Sequence, residues 1–261
     1  MPRPFTLALA TITTAFSLLP CAAHAQVNIE TLRTEIKQNP LFGSVDASFT
    51  GRLGNTQGVV AGASVFGGLN FAERHLLFLK GQGDYAAFGG TPSVSKSFAH
   101  LRYNLTILPW LVGEAFAQVQ QDKFQRLQFR NVEGIGPRFG LVQMDDFELY
   151  YGTSYMLEYE VLSSLPGGPA DATVDLNHRW NNYLSLLYRF DARARFSTVI
   201  YVQPRLDAFD DIRVLSDSAL IVDLSGPLKL KLNVTVRHDT QPPEGVLSTD
   251  FEGKNSLALV F

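Results

Sequence analysis

From Ser44 to Phe261 the apolar residues of this chain recur at every second position. The clearest stretch sets Leu228, Leu230, Leu232, Val234 and Val236 against Lys229, Lys231, Asn233, Thr235 and Arg237. Successive side chains of a strand point to opposite faces, so each such segment carries one greasy and one wet face. The same period appears in Ala99, Leu101, Tyr103 and Leu105 against His100, Arg102 and Asn104, and in Leu184, Leu186, Tyr188 and Phe190 against Ser185 and Arg189. A chain with this period over two hundred residues folds as a sheet. The remaining question is where its greasy faces go.

The length of the segments and the N-terminal stretch answer it. Arg3 followed by the apolar stretch 5–19 and by Ala23-His24-Ala25 reads as an export signal, with the mature chain starting at Gln26. The apolar stretch is shorter than the roughly 20 residues a spanning helix needs. Pro20 stands where a lipoprotein signal wants a small residue, so Cys21 is not read as a lipid anchor. Cys21 is the one cysteine and leaves with the signal. The mature chain therefore has no disulfide in an oxidising compartment, and its fold alone must hold it together.

A closed sheet can do that. The expected fold class is all-β: a transmembrane antiparallel β-barrel of about twelve strands. Mean hydropathy is +0.03, near zero because a barrel strand needs only alternate residues apolar. Hydrocarbon cannot satisfy a free strand edge, so a sheet that spans a bilayer closes on itself. The competing architecture is a soluble β-sandwich, which also alternates but buries its leucines between two layers.

The segments run roughly 44–53, 57–69, 75–86, 95–107, 110–121, 124–141, 145–161, 177–190, 193–205, 209–225, 227–239 and 249–261. Parity breaks near 131–136 and 216–219 predict bulges. Connections after even-numbered segments are short, as at Leu108-Pro109, Asp191-Ala192 and Gly226-Pro227. Those after odd-numbered segments include long ones at 89–93, 162–176 and 239–248. This asymmetry matches short periplasmic turns and longer outer loops. The last segment places Leu257, Leu259 and Phe261 on one face, a C-terminal insertion strand that closes the sheet onto the first. Before the barrel, Ile29, Leu32 and Ile36 fall at helical spacing and Pro40 ends the run. The domain reading is thus signal 1–25, periplasmic helical segment 26–43 and barrel 44–261, with a lumen plug as the other use of that helix.

The wet faces nominate an interior: His100, Arg102, Glu114, Gln118, Arg130, Glu158, Arg189, Lys229, Lys231 and Arg237. In a barrel of this size they form either a mutually paired core or a narrow polar path.

The chemistry motifs are missing. Gly134-Ile135-Gly136-Pro137-Arg138-Phe139-Gly140 lacks dinucleotide spacing and opens no helix. There is no phosphate loop and no nucleophile elbow. The histidines at 75, 100, 178 and 238 are too scattered for a metal site, so no metal, cofactor or catalytic residue is expected. Formal net charge is −3 with no basic stretch, which argues against nucleic acid. One pair keeps an enzyme in view: His178 and Asn182 share the lipid-facing parity of Trp180, as in a lipid A deacylase or phospholipase. Aromatic and histidine residues at that level are also ordinary interface residues.

Several stretches resemble the salt-induced outer membrane protein family, proteobacterial barrels of unassigned function. They are Gly54-Asn55-Thr56, Gln121-Asp122-Lys123-Phe124-Gln125-Arg126-Leu127 with Arg130, and Gly134-Ile135-Gly136. Tyr201-Val202-Gln203-Pro204-Arg205 with Asp211-Ile212-Arg213 is the most telling, followed by His238-Asp239 with Pro242-Pro243-Glu244-Gly245-Val246 and Thr249-Asp250. The resemblance runs from about residue 54 to 261. It implies a barrel and transfers no catalytic residue. The expected role is a monomeric outer-membrane barrel, structural or linked to envelope stress, with narrow solute passage. Its partners would be outer-membrane lipid, lipopolysaccharide and the barrel-assembly machinery. A lipid-modifying hydrolase and a surface adhesin acting through 162–176 are the other classes.

Overall fold

The computed structural model describes residues 40–52, 58–164 and 173–261. The expected export signal, the helix over 26–39, the turn at Gly54-Asn55-Thr56 and most of the 162–176 connection lie outside the described residues. No helix among the described residues is long and apolar enough to cross a membrane.

The described residues form a closed antiparallel barrel of twelve strands, each bonded to the next in sequence and β1 bonded to β12. The strands are β1 (Leu41–Arg52), β2 (Gly58–Phe71), β3 (His75–Phe88), β4 (Thr91–Leu108), β5 (Leu111–Asp122), β6 (Leu127–Gln143), β7 (Phe147–Leu162), β8 (Thr173–Arg189), β9 (Ala194–Pro204), β10 (Ile212–Ser225), β11 (Leu228–Asp239) and β12 (Thr249–Val260). A single 3₁₀ turn, Lys123–Gln125, joins β5 to β6. β1 starts at Leu41, so 41–43 belong to the wall and not to a helical segment. One rim, which holds Pro40 and Phe261, carries the short connections and is called the turn end here. The opposite rim is the loop end.

Two expectations about the backbone are corrected. The connection at 89–93 is a two-residue turn: Phe88 pairs with Thr91, and Gly89 and Gly90 have φ of 56° and 80°. Both central residues are left-handed, as the tight hairpin that matches strand twist requires, and glycine adopts that without strain. The parity breaks at 131–136 and 216–219 are not bulges either. The β5–β6 and β10–β11 registers run evenly through them, and the shifts lie at Gln120/Asp122 and Asp223/Ser225. The pattern breaks because of which side chains the faces carry. Val132, Ala219 and Ile221 point inward and are buried, while Asn131 and Glu133 face outward and bond each other at 3.0 Å. On β10 the outward Ser218 donates to Thr198 at 2.9 Å.

The faces are inside-out relative to a water-soluble domain. Leu79, Leu101, Ile135, Leu184 and Val234 are exposed on the outer surface, Ile135 by 67%. Arg102, Arg138 and Arg179 rank among the most completely buried side chains. Leu257, Leu259 and Phe261 also face outward. Phe261 and Gly43 exchange both backbone hydrogen bonds, at 3.0 and 2.8 Å, and fix the seam at the turn end. The Phe261 ring lies over Gly43, where a Cβ would sit 2.7 Å from it.

Candidate functional site

The interior is built by alternation. Every second residue of each strand points into the enclosed interior. What fills it changes with depth.

Nearest the turn end the filling is apolar. Phe42, Phe66, Leu76, Phe78 and Phe98 form one buried cluster, with Phe66 centred 6.0 Å from both Phe42 and Phe78. The sequence reading treated the inner face as wet throughout and missed these rings. The signal was present, because Phe78 has the parity of Lys80 and Phe98 that of His100. The polar residues of this region are Arg195 and Lys229, which reach Asp223 at 3.6 and 3.5 Å, and Arg189, which meets Glu148 at 2.5 Å.

At mid-depth, polar groups link strands that are not neighbours in the wall. Tyr183 of β8 donates to Glu114 of β5, and Arg138 of β6 donates to the same hydroxyl at 3.2 Å. Arg138 stacks over Tyr150 at 3.9 Å. Glu114 also accepts from Asn104 at 3.1 Å and lies 3.7 Å from Arg102. His100 Nδ1 is 3.0 Å from Gln118 Oε1, its ring stacked between Phe78 and Phe116. On the other wall Lys231 meets Asp46 at 2.6 Å and Lys254 meets Asp84 at 2.5 Å. A buried charge must be paired and hydrogen-bonded, because an isolated ion in a low-dielectric interior is unstable.

Toward the loop end lies the densest network. Glu158 of β7 has no exposed surface and accepts from Arg130 at 2.7 Å, Arg179 at 3.1 Å and Arg213. Arg213 goes on to Glu160 at 3.1 Å and Asp239 at 2.8 Å, and Arg179 to Asp211 at 3.0 Å. On the facing wall Lys96 of β4 reaches Glu252 of β12 at 2.8 Å, with Arg237 3.5 Å from the same oxygen. β4 and β12 are separated by three strands, so this pair crosses the interior.

The nine charged or histidine residues nominated from the sequence all point inward. Arg130 and Glu158 pair toward the loop end, with Arg237 on the facing wall there, His100, Arg102 and Glu114 lie at mid-depth, and Arg189 and Lys229 toward the turn end, while Lys231 pairs with Asp46 on the far wall. Arg138, Arg179, Arg213, Lys96 and Glu160 were not nominated, although each shares the parity of a nominated neighbour or of the buried set.

The motif stretches also converge. Arg126 donates to Ser163 O at 3.0 and 2.7 Å and to Glu244 O at 2.9 Å, tying three loop-end connections together. Arg205 meets Asp207 at 2.8 Å and Asp211 at 3.2 Å.

His178 and Asn182 face outward but are not brought together as a catalytic pair. His178 Nδ1 is 2.5 Å from the Tyr155 hydroxyl. Asn182 Oδ1 accepts from Tyr151 at 2.8 Å and Thr153 at 3.0 Å. No group of three His, Cys, Asp or Glu side chains among the described residues has the geometry to hold a metal ion.

The profile of one protein family, described as a protein of unknown function, DUF481, matches residues 45–261. A search of the curated proteins found no match. Among solved structures, the NanC porin shares 9% identity with a TM-score of 0.48, over 84% of this chain and 97% of that one. The translocator domain of autotransporter NalP from Neisseria meningitidis shares 10% with a TM-score of 0.48, over 89% and 92%. The KdgM porin shares 8% with a TM-score of 0.42, over 85% and 98%. No role is carried over from these structures.

Proposed function

This chain belongs to the DUF481 family, and we propose that it is an outer-membrane β-barrel whose own side chains close its interior. Its role is structural within the envelope, and passage through it is restricted to small solutes. An outer surface of leucine, valine and aromatic rings around a charged interior supports the membrane assignment, since contiguous apolar surface of that extent is unstable in water. On this reading 1–25 direct export. Outer-membrane lipid, lipopolysaccharide and the assembly machinery are the partners, and the barrel works as a monomer. The resemblance to salt-induced outer membrane proteins belongs to the same proposal, with envelope stress as the setting.

The observation that carries the closed reading is the Lys96–Glu252 ion pair, which crosses the interior between strands four places apart in the ring of twelve, at 2.8 Å near the loop end. A wide aqueous channel has no room for such a link. Single-channel recording in planar bilayers tests it, beside an open porin as reference. The expected trace shows small or absent steps, with any ion preference altered by changing Lys229, Lys231 or Arg237. Stable steps as large as those of the reference would overturn the closed reading.

A further inference from the structure

A furrow of about 470 Å³ lies over β5 on the outer face of the barrel. Its floor is Ala115 and Ala117, one bank is Leu101 and Tyr103 of β4, and the other is Glu133 and Ile135 of β6. The registers explain it. Leu101, Ala117 and Glu133 stand side by side across three strands, and so do Tyr103, Ala115 and Ile135 in the adjacent row. In both rows the middle side chain is a single methyl group between two long ones, so the surface dips over β5. Small-ligand sites run to roughly 300–1,000 Å³ and are mostly apolar with a few placed polar groups, and the furrow has that character.

Glu133 is its ionisable group. The residue is exposed, so an occupant of the furrow reaches it. Asn131 donates to its Oε1 at 3.0 Å, and its Oε2 has no donor among the described residues. No lysine, arginine or histidine lines the furrow, so no cation there offsets the carboxylate.

Depth sets the chemistry of the partner. Outward Phe129, edge-on to Tyr159, lies on the loop side of Glu133, and Phe139, flanked by Trp110 and Tyr151, lies on the turn side. Aromatic belts of this kind mark the two membrane interfaces. Glu133 is four residues from Phe129 along β6. At about 3.3 Å per residue and a tilt of about 40°, that is about 10 Å of depth. Headgroups do not reach that level, so a donor there has to be carried on an acyl chain. A hydroxyl suits, because it both donates and accepts and so serves the carboxyl in either protonation state. Ionisable groups inside a membrane are costly and mark functional sites.

We propose that the furrow binds the acyl chain of a membrane lipid that carries a hydroxyl group within the hydrocarbon. The chain lies over Ala115 and Ala117, and the hydroxyl meets Glu133. The inference rests on the outer-membrane reading and is independent of whether the interior is closed.

Tryptophan quenching by lipid tests it. The chain has two tryptophans, and Trp180 stands beside Tyr155, which lines the furrow. A Trp110→Phe barrel in vesicles of phosphatidylcholine with brominated chains reports contact at Trp180 alone. Unbrominated 12-hydroxyoctadecanoate and octadecanoate are then added, two acids that share headgroup and length and differ in the hydroxyl. The hydroxylated acid is expected to relieve the quenching at about fivefold lower concentration, the size of one hydrogen bond. Glu133→Leu should erase that preference. Ala117→Phe, which fills the floor and keeps the carboxylate, should erase it by a second route. Val234→Phe, outward on β11, should leave it intact. Equal relief by the two acids, or a preference that survives Glu133→Leu or Ala117→Phe, would overturn the site and leave ordinary contact with bulk lipid only. A Trp180 that brominated lipid does not quench at all would overturn the membrane reading beneath it.

Discussion

Glu158 shows how a single residue can hold a barrel interior. Its carboxylate is shared by guanidiniums from β6, β8 and β10 and has no contact with solvent. Taking one partner from a buried ion network leaves the others desolvated and uncompensated, at a cost of about 3–5 kcal/mol. Glu158→Ala is therefore expected to lose about that much stability in urea unfolding from lipid vesicles, whereas Arg205→Ala, at a half-exposed guanidinium whose partner Asp211 keeps Arg179, should lose clearly less. Parity alone placed Glu158 and Arg130 inside. It could not say that Arg213 joins them, because register fixes contacts only between neighbouring strands, and Arg213 reaches Glu158 across two intervening ones. That closeness is a property of closure. Glu133 makes the opposite point, as a carboxylate on the outer face bonded to Asn131.

At the scale of strands and turns the sequence was most legible. All twelve segments appear within a few residues of their expected limits, because a two-residue period sustained over a dozen positions has few alternative explanations. The exceptions share one cause. The reading assumed a uniformly wet interior, so inward Val132 and Ala219 were taken for slips of backbone when they are packing residues. The β8–β9 turn shows what local chemistry adds. Asp191 accepts from the backbone N–H of Arg193 at 2.7 Å and of Ala194 at 2.8 Å, and these bonds hold its carboxyl below the ordinary aspartate range. A carboxylate with a depressed native pKa contributes stability above the unfolded value of about 3.9, and loses it as pH falls through the native value. The turn should therefore be insensitive to pH near neutrality and weaken only in acid. An NMR titration of Asp191 in the folded barrel is expected to show a midpoint below that of an unfolded aspartate, and Asp191→Ala should remove the acid-dependent step.

For the whole molecule, the apolar cluster at the turn end and the ionic network at the loop end are two unlike fillings of the interior in series. The cross-interior pair Lys96–Glu252 belongs to the second. Removing both partners deletes the charges together, so Lys96→Ala with Glu252→Ala should cost less stability than the two single changes summed. Denaturant unfolding of the four proteins in a double-mutant cycle measures that difference. Full additivity would mean that the two groups act independently. Parity marked which of these residues point inward, but the partners across the interior were not legible before closure was known, since which strands face each other depends on strand number and stagger.

The junction of β1 with β12 carries a last consequence. β1 is laddered to β2 from Leu41 to Arg52, while its register with β12 covers Ser44–Ala47 against Leu257–Val260, below which Gly43 and Phe261 lock. A cylinder stitched firmly at one hem and lightly above it has a built-in tear line. Thermal breathing would part the staves along that line first, toward the loop end, and would leave the other eleven joints as one springy sheet.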